Sequence, residues 1–477
     1  MKKILSILLI VTMLFTAMAS LASCGPAKLS EFTVPESGYD GSAVTITFYH
    51  TMGKALRDEL DKAIERFNVL YPNITIVHEQ TGSYDDVRDT IKTEIAVGAQ
   101  PNLAYCYPDH VALYNLANAV VKLDDLIAST IPVVDANGNE TVLGLTQAQI
   151  DDFIPGYYAE GAQFDAEGTM YTLPLSKSTE VLYYNKTFFD KHSLSLPTTW
   201  NEMEALCAKI KEIDPGCIPL GYDSEANWFI TMTEQLGTNY TSATGEHFIF
   251  DEEGNYEFIE MFRSWYEKGY VTTQELNGGK YTSELFTAKT GTKSYMSIGS
   301  SAGATHQRPE KVNNAYPFEV GITTIPQIDP ANPKVISQGP SLCIFNKANP
   351  QEVVASWLFA KFIATDVEFQ AKFSMVSGYV PVIQSVTKNP VFAEHLAGAD
   401  GYEYIAALST KVCLEQADAY YTSPAFNGSS TARDEVGALV QKCFTQSPAS
   451  GESLRQMIER LFKEAIDECE YQHPSNG

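Results

Sequence analysis

The chain has 477 residues, of which 44% are hydrophobic, 11% aromatic and 19% charged. That balance fits a globular protein with a sizeable core and excludes a disordered tail or a coiled coil. Against 33 basic residues stand 59 acidic ones, a formal charge of −26, so broad nucleic-acid binding, which needs a basic surface, is excluded.

The first element in chain order is an export signal. Lys2 and Lys3 precede an apolar run from Ile4 to Ala19, a charged segment followed by a hydrophobic one. Leu21-Ala22-Ser23-Cys24 then matches a bacterial lipobox, which assigns residues 1–23 to a signal peptide and Cys24 to lipidation. Residues 24–43 carry Pro, Ser and Gly and are expected to form a flexible tether. Anchor and tether together hold a soluble body at the outer membrane face without spanning it.

Next comes an alternation of strands and helices. Val44–Tyr49 reads as a strand, and Leu56, Leu60, Ile64, Phe67 and Leu70 line one face of a helix that ends at Tyr71-Pro72. A strand at Ile74–His78, a helix carrying Val87, Ile91 and Ile95, and a strand at Leu103–Tyr107 follow. This β-α-β-α-β order predicts a mostly parallel sheet covered by helices. Asp135–Asn139 has its glycine in the wrong place for a calcium loop, and a tight turn is expected. Thr199 and Glu202 form a capping box for a helix with Trp200, Met203, Leu206 and Ile210 inside. Further helices are expected near 225–236, 255–268, 350–364 and 366–376, with another through Leu454–Ile466. Strand-like runs lie at 170–174, 180–184, 293–298, 319–325 and 341–346.

Enzyme signatures find little support. Gly299-Ser300-Ser301-Ala302-Gly303 fits the nucleophile-elbow pattern of a secreted serine hydrolase, but His306 lies too close to complete it and nothing marks His395 or His473. A polar glycine-serine turn is the simpler reading. Metalloprotease, nucleotide and dinucleotide motifs are missing. The seven cysteines after Cys24 are odd in number and lack a C-x-x-C pair, which disfavours a zinc site and favours buried thiols. No cofactor, metal or catalytic residue is assigned. Tyr84, Tyr107, Trp228, Tyr379, Tyr421 and Phe426 stand at expected loops, and aromatic faces with hydroxyls and carboxylates suit sugars.

Residues 168–186, G-T-M-Y-T-L-P-L-S-K-S-T-E-V-L-Y-Y-N-K, closely resemble a segment of the extracellular solute-binding proteins, family 1, of carbohydrate-uptake ABC transporters. Thr47–Met52, Glu65–Asn68, Leu196–Glu202 and Ser377–Pro381 add to the likeness, which runs from about 44 to the end. The resemblance implies an α/β, two-lobe, type II periplasmic-binding-protein-like fold with a hinge and an interlobe cleft. It implies crossings near 176–179, 321–325 and 377–379, a first lobe of 44–177 plus 325–377, and a second of 178–324 plus 378–477. A monomer that binds a small carbohydrate and delivers it to permease subunits is expected, attached to the membrane through its lipid alone.

Within the family the chain is similar to the glycerol-3-phosphate-binding branch, which would make Tyr84, Ser178, Ser300, Gly339 and Tyr379 ligand contacts. Two departures stand out: Pro108 with Asp109 replaces a glutamate, and the segment near Ala425–Gly428 lacks the branch's phosphate-binding arginine. Loss of that fork argues for a neutral sugar or oligosaccharide. The displaced Arg433 keeps glycerol-3-phosphate or a glycerophosphodiester as the alternative. Asp109 and Glu180 are expected to accept from sugar hydroxyls, with Trp228 as the stacking platform.

Overall fold

The computed structural model describes residues 29–165, 167–398 and 405–473. The signal peptide and Cys24 lie outside the described residues.

Two sheets organise the chain. The first is built from β1 (Val44–His50), β2 (Ile74–Gln80), β3 (Leu103–Cys106), β6 (Thr172–Pro174) and β13 (Ser341–Ile344), in the order β2-β1-β3-β13-β6. Its first three strands are parallel and β13 is antiparallel to both neighbours, as the β-α-β-α-β reading required. A small hairpin, β4 (Pro132–Val134) and β5 (Glu140–Val142), projects from this lobe. At its tip Asp135 accepts from the Asn137 and Asn139 amides, the expected tight turn.

The second sheet contains β7 (Ser178–Asn185), β8 (Leu220–Tyr222), β9 (Val271–Thr273), β10 (Met296–Ser300), β11 (Val320–Thr323), β12 (Val335–Gln338) and β14 (Tyr420–Tyr421). Their order is β14-β12-β7-β10-β8-β9, with β11 also on β7. Strand side chains alternate between faces, and β7 uses both. Leu182 enters the second lobe's own core with Trp200, Trp228, Phe262 and Leu461. Val181 and Tyr183 join a core that continues into the first lobe through Phe48, Phe67, Trp357 and Phe359. The core behind the second sheet therefore continues into the first lobe, while the front edges of the two lobes face each other.

Three expectations need correction. Residues 29–43 of the expected tether are docked, not free. Phe32, Val34 and Tyr39 pack on the first-lobe core. Gln351 accepts from the Asp40 amide and donates to the Gly38 carbonyl, and Asn346 donates to the Ser30 carbonyl. The second crossing lies at Gly339–Pro340 instead of 321–325, because β12 pairs with β7 and only β13 belongs to the first sheet. The third crossing is not at 377–379. Val380 bridges Lys177, Ile383 bridges Phe153, and Ser385 is held by Asp152, so the chain stays beside the first lobe there. Tyr420–Tyr421 is where it rejoins the second sheet.

Candidate functional site

Parallel strands direct their carboxyl ends, and the helices that follow them, toward one edge of a sheet, where ligands collect in α/β folds. Here two such edges face each other across a cleft of ≈ 1180 Å³. Thr51, Gly82 and Tyr107 follow β1, β2 and β3; Asp223 follows β8, and Ser300 ends β10.

The first-lobe wall is aromatic. Ser83 caps the helix Tyr84–Ile95 in a reciprocal box with Asp86, which fixes Tyr84 at the cleft. Tyr84 stacks on Tyr107 at 4.2 Å between ring centres, and its hydroxyl lies 3.3 Å from that of Tyr379. Pro108 opens the helix Pro108–Asn115 and sets Asp109 in its first turn, where an anion is favoured.

The second-lobe wall is polar. Glu180, on β7, is 1% exposed and accepts from the Tyr222 hydroxyl and from Asn227 Nδ2 at 3.1 Å. Burial raises its pKa to about 7, against the lowering effect of those two hydrogen bonds and of Arg433. Asp223 is also raised by burial and accepts from Thr282 through both amide and hydroxyl. Its carboxylate lies 2.4 Å from where a Cβ on Gly299 would stand, so β10 needs glycine there. Arg433 donates to Asn227 Oδ1 and has no carboxylate within 4.0 Å among the described residues. Arg88, in contrast, is paired with Asp85, Asp89 and Asp434.

The lobes touch across the cleft. Ser430 Oγ, on the helix Ser429–Thr445, donates to Asp109 Oδ2 at 2.8 Å. Burial would raise the Asp109 pKa, but His110, Arg433 and the Ser430 hydrogen bond hold it below the ordinary value. Behind the main cleft a smaller cavity of ≈ 80 Å³ is lined by both lobes, including Tyr107, Asp109, Glu160, Gly339 and Arg433.

Of the sequence-predicted residues, Tyr84, Asp109, Ser178, Glu180, Ser300 and Tyr379 line the main cleft, and Gly339 lines the smaller cavity. Trp228 does not reach either. It is 1% exposed, stacked on Tyr222 at 4.7 Å and packed on Phe262 at 4.1 Å. Helix Glu225–Leu236 turns Trp228 and Met232 to the same buried face. Trp228 is thus a core residue that backs Tyr222, which in turn holds Glu180. Asp223 and Asn227 escaped the sequence reading, although a short apolar strand followed by Asp-Ser and a helix was a usable signal. Ser301, the would-be hydrolase nucleophile, is 0% exposed, and its Oγ accepts from the Thr179 amide at 3.2 Å.

Residues 62–398 match the profile of the bacterial extracellular solute-binding proteins. The chain belongs to that family. Among its relatives is the sn-glycerol-3-phosphate-binding periplasmic protein UgpB of Shigella flexneri, 24% identical over 369 residues, covering 75% of this chain and 80% of that protein. The Escherichia coli K12 protein of the same name is 23% identical over the same length and shares of both chains. The fold is also that of UgpB from Mycobacterium tuberculosis in complex with glycerophosphocholine, with a TM-score of 0.70 at 16% identity over 90% of this chain and 99% of that one. Maltose-bound MalE3 of T. maritima gives 0.68 at 17% identity over 90% and 100%. As a solute-binding protein the chain shares the extracytoplasmic, two-lobe α/β architecture that its sequence implied.

Proposed function

We propose that this protein is the lipid-anchored, non-enzymatic binding component of an ABC importer, and that it takes a neutral sugar or oligosaccharide in the interlobe cleft. The observation that carries the reading is the opposition of two unlike walls. Stacked Tyr84 and Tyr107, with Tyr379, offer faces for sugar C–H groups. Glu180, Asn227, Ser178 and Ser300 offer hydrogen-bonding groups for hydroxyls. At ≈ 1180 Å³ the cleft exceeds the roughly 300–1,000 Å³ of ordinary small-molecule pockets, which favours more than one sugar ring. Maltose in a structural neighbour agrees with this chemistry. The lipobox at Cys24 supports the anchor, and the family supports delivery of the ligand to permease subunits; the protein acts as a monomer.

A second reading, a glycerophosphodiester, is favoured by Arg433, a cleft guanidinium without a carboxylate partner among the described residues, and by the UgpB relatives. A thermal-shift screen of residues 25–477 separates the two. At about 100 times its dissociation constant a ligand adds roughly 2.7 kcal/mol of stability. A shift with neutral oligosaccharides and none with glycerol-3-phosphate or glycerophosphocholine is expected, and Arg433→Gln should leave it in place. A shift with the phosphates alone, abolished by Arg433→Gln, would overturn the sugar reading. Product formation from any bound compound would overturn the non-enzymatic one.

A further inference from the structure

Lys177 lies in the short connection between β6 and β7, where the chain first passes from one sheet to the other. Its side chain is 0% exposed, unusual for a lysine. The ammonium donates to Glu160 Oε1 at 2.5 Å, to Ser341 Oγ at 3.2 Å and to the Gly339 carbonyl at 3.3 Å. Glu160 belongs to a 3-10 turn of the first lobe, and Gly339 is the second connection between the sheets. The Lys177 backbone adds a third segment: its amide donates to the Val380 carbonyl at 3.1 Å and its carbonyl accepts from the Val380 amide at 2.6 Å. The two connections also touch directly. The Leu175 and Ser176 amides point at the Pro340 carbonyl at 3.3 and 3.4 Å, and a Cβ on Gly339, whose φ is +102°, would meet the Ser176 carbonyl oxygen at 2.5 Å.

A buried ion pair is a poor way to gain stability. Replacing both partners with apolar groups is often neutral or better. Its position, joining both connections to one turn of the first lobe, points instead to control of geometry. We propose that Lys177 is the positioning residue of the hinge: it binds the two connections and the Val380 segment into one unit fixed to Glu160. Lobe closure is then a rotation about that unit, and without Lys177 the connections bend independently and the closed form loses population. Apparent affinity falls in proportion to the closed fraction, although Lys177 lines neither the main cleft nor the smaller cavity.

The test removes the pair as a pair, Lys177→Met with Glu160→Leu, in the soluble chain. Spin labels on cysteines introduced at Val97 in the first lobe and Tyr471 in the second, 67% and 83% exposed, report the interlobe distance. The seven cysteines among the described residues are buried and resist labelling. The parent chain should give a narrow distance distribution in the free state. The double variant should give a broader one, and its dissociation constant for maltotriose or glycerophosphocholine should rise by about tenfold. An unchanged distribution with unchanged affinity would overturn the proposal. Its affinity arm rests on the cleft being the ligand site. If the parent chain bound neither probe, only those two compounds would be removed as ligands of the cleft, and the free-state distribution alone would still decide the hinge. Should the double variant not fold, Lys177→Met with Glu160→Gln, which leaves a neutral amide in place of the buried carboxylate, serves in the same comparison, with the same expected and contradicting results.

Discussion

The two cleft walls are made by the same architectural device and carry opposite chemistry. Each stands at the carboxyl ends of parallel strands and at the starts of the following helices. The first-lobe wall presents Tyr84, Tyr107 and Tyr379, whose rings support one another. The second-lobe wall presents Glu180, Asp223, Asn227 and Arg433, each held by another polar group. Neither wall surrounds a ligand alone. A ligand with apolar faces and hydroxyl edges satisfies both only when the lobes meet, so binding and closure become one event.

The largest effect expected from breaking this arrangement comes from behind the polar wall. Trp228→Ala removes a core side chain that backs Tyr222, and large-to-small changes of this kind cost about 3–5 kcal/mol. Urea titration should show the midpoint falling with little change in slope. A midpoint equal to that of the parent chain would return Trp228 to the surface role first expected of it.

Acid sharpens the contrast from the first-lobe side. His50 is 0% exposed; its Nδ1 accepts from the Met52 amide and its Nε2 donates to His78, which donates to Asp61. Burial, then the charges of His78 and Arg57, lower its pKa to about 3. The unfolded chain titrates this group near 6.5, so only the unfolded state gains the proton between those values. His50 therefore contributes full stability above about pH 6.5 and progressively less as the pH falls toward 3. His50→Asn should flatten the fall in stability between pH 7 and pH 4.5; a slope identical to the parent's would remove His50 as its source.

A smaller effect is expected at the bridge between the walls. Ser430→Ala deletes one interlobe hydrogen bond to Asp109, and a bond to a charged group contributes about 1.5–3 kcal/mol at most. Half-exposure and replacement by water reduce this, so a several-fold faster ligand dissociation in stopped flow is the expected reading. An unchanged rate would mean that the contact does not resist opening.

How much of this was legible in the sequence follows from how local each signal is. The β-α-β-α-β start, the helix expected near 350–364 and the capping box at Thr199 are local patterns, and all formed, the helix as Pro350–Thr365. Strands β8, β9, β12 and β14 have two to four residues each; their neighbours create them, and no alternation announces them. Trp228 belongs to the core because helical spacing decides its direction over aromatic chemistry: Met232, one turn later, marks the same buried face. Phe32, Val34 and Tyr39 were apolar residues in a supposed tether, and they became its attachment. Asp109, singled out by the resemblance, lines the cleft, but its Ser430 partner is 321 residues away and no local pattern reveals it.

The central claim, that two unlike walls share one ligand, is tested most directly by calorimetric titration of the best-binding compound from the ligand screen into the parent chain, Tyr84→Ala and Glu180→Gln. One variant alters each wall. Each should weaken binding by about tenfold or more, the loss expected for about 1.4 kcal/mol, with unfolding midpoints close to the parent's. Glu180→Gln should also remove any pH dependence of binding near 7, where Glu180 titrates. If either variant bound as tightly as the parent chain, the ligand would not span both walls and the account would be wrong.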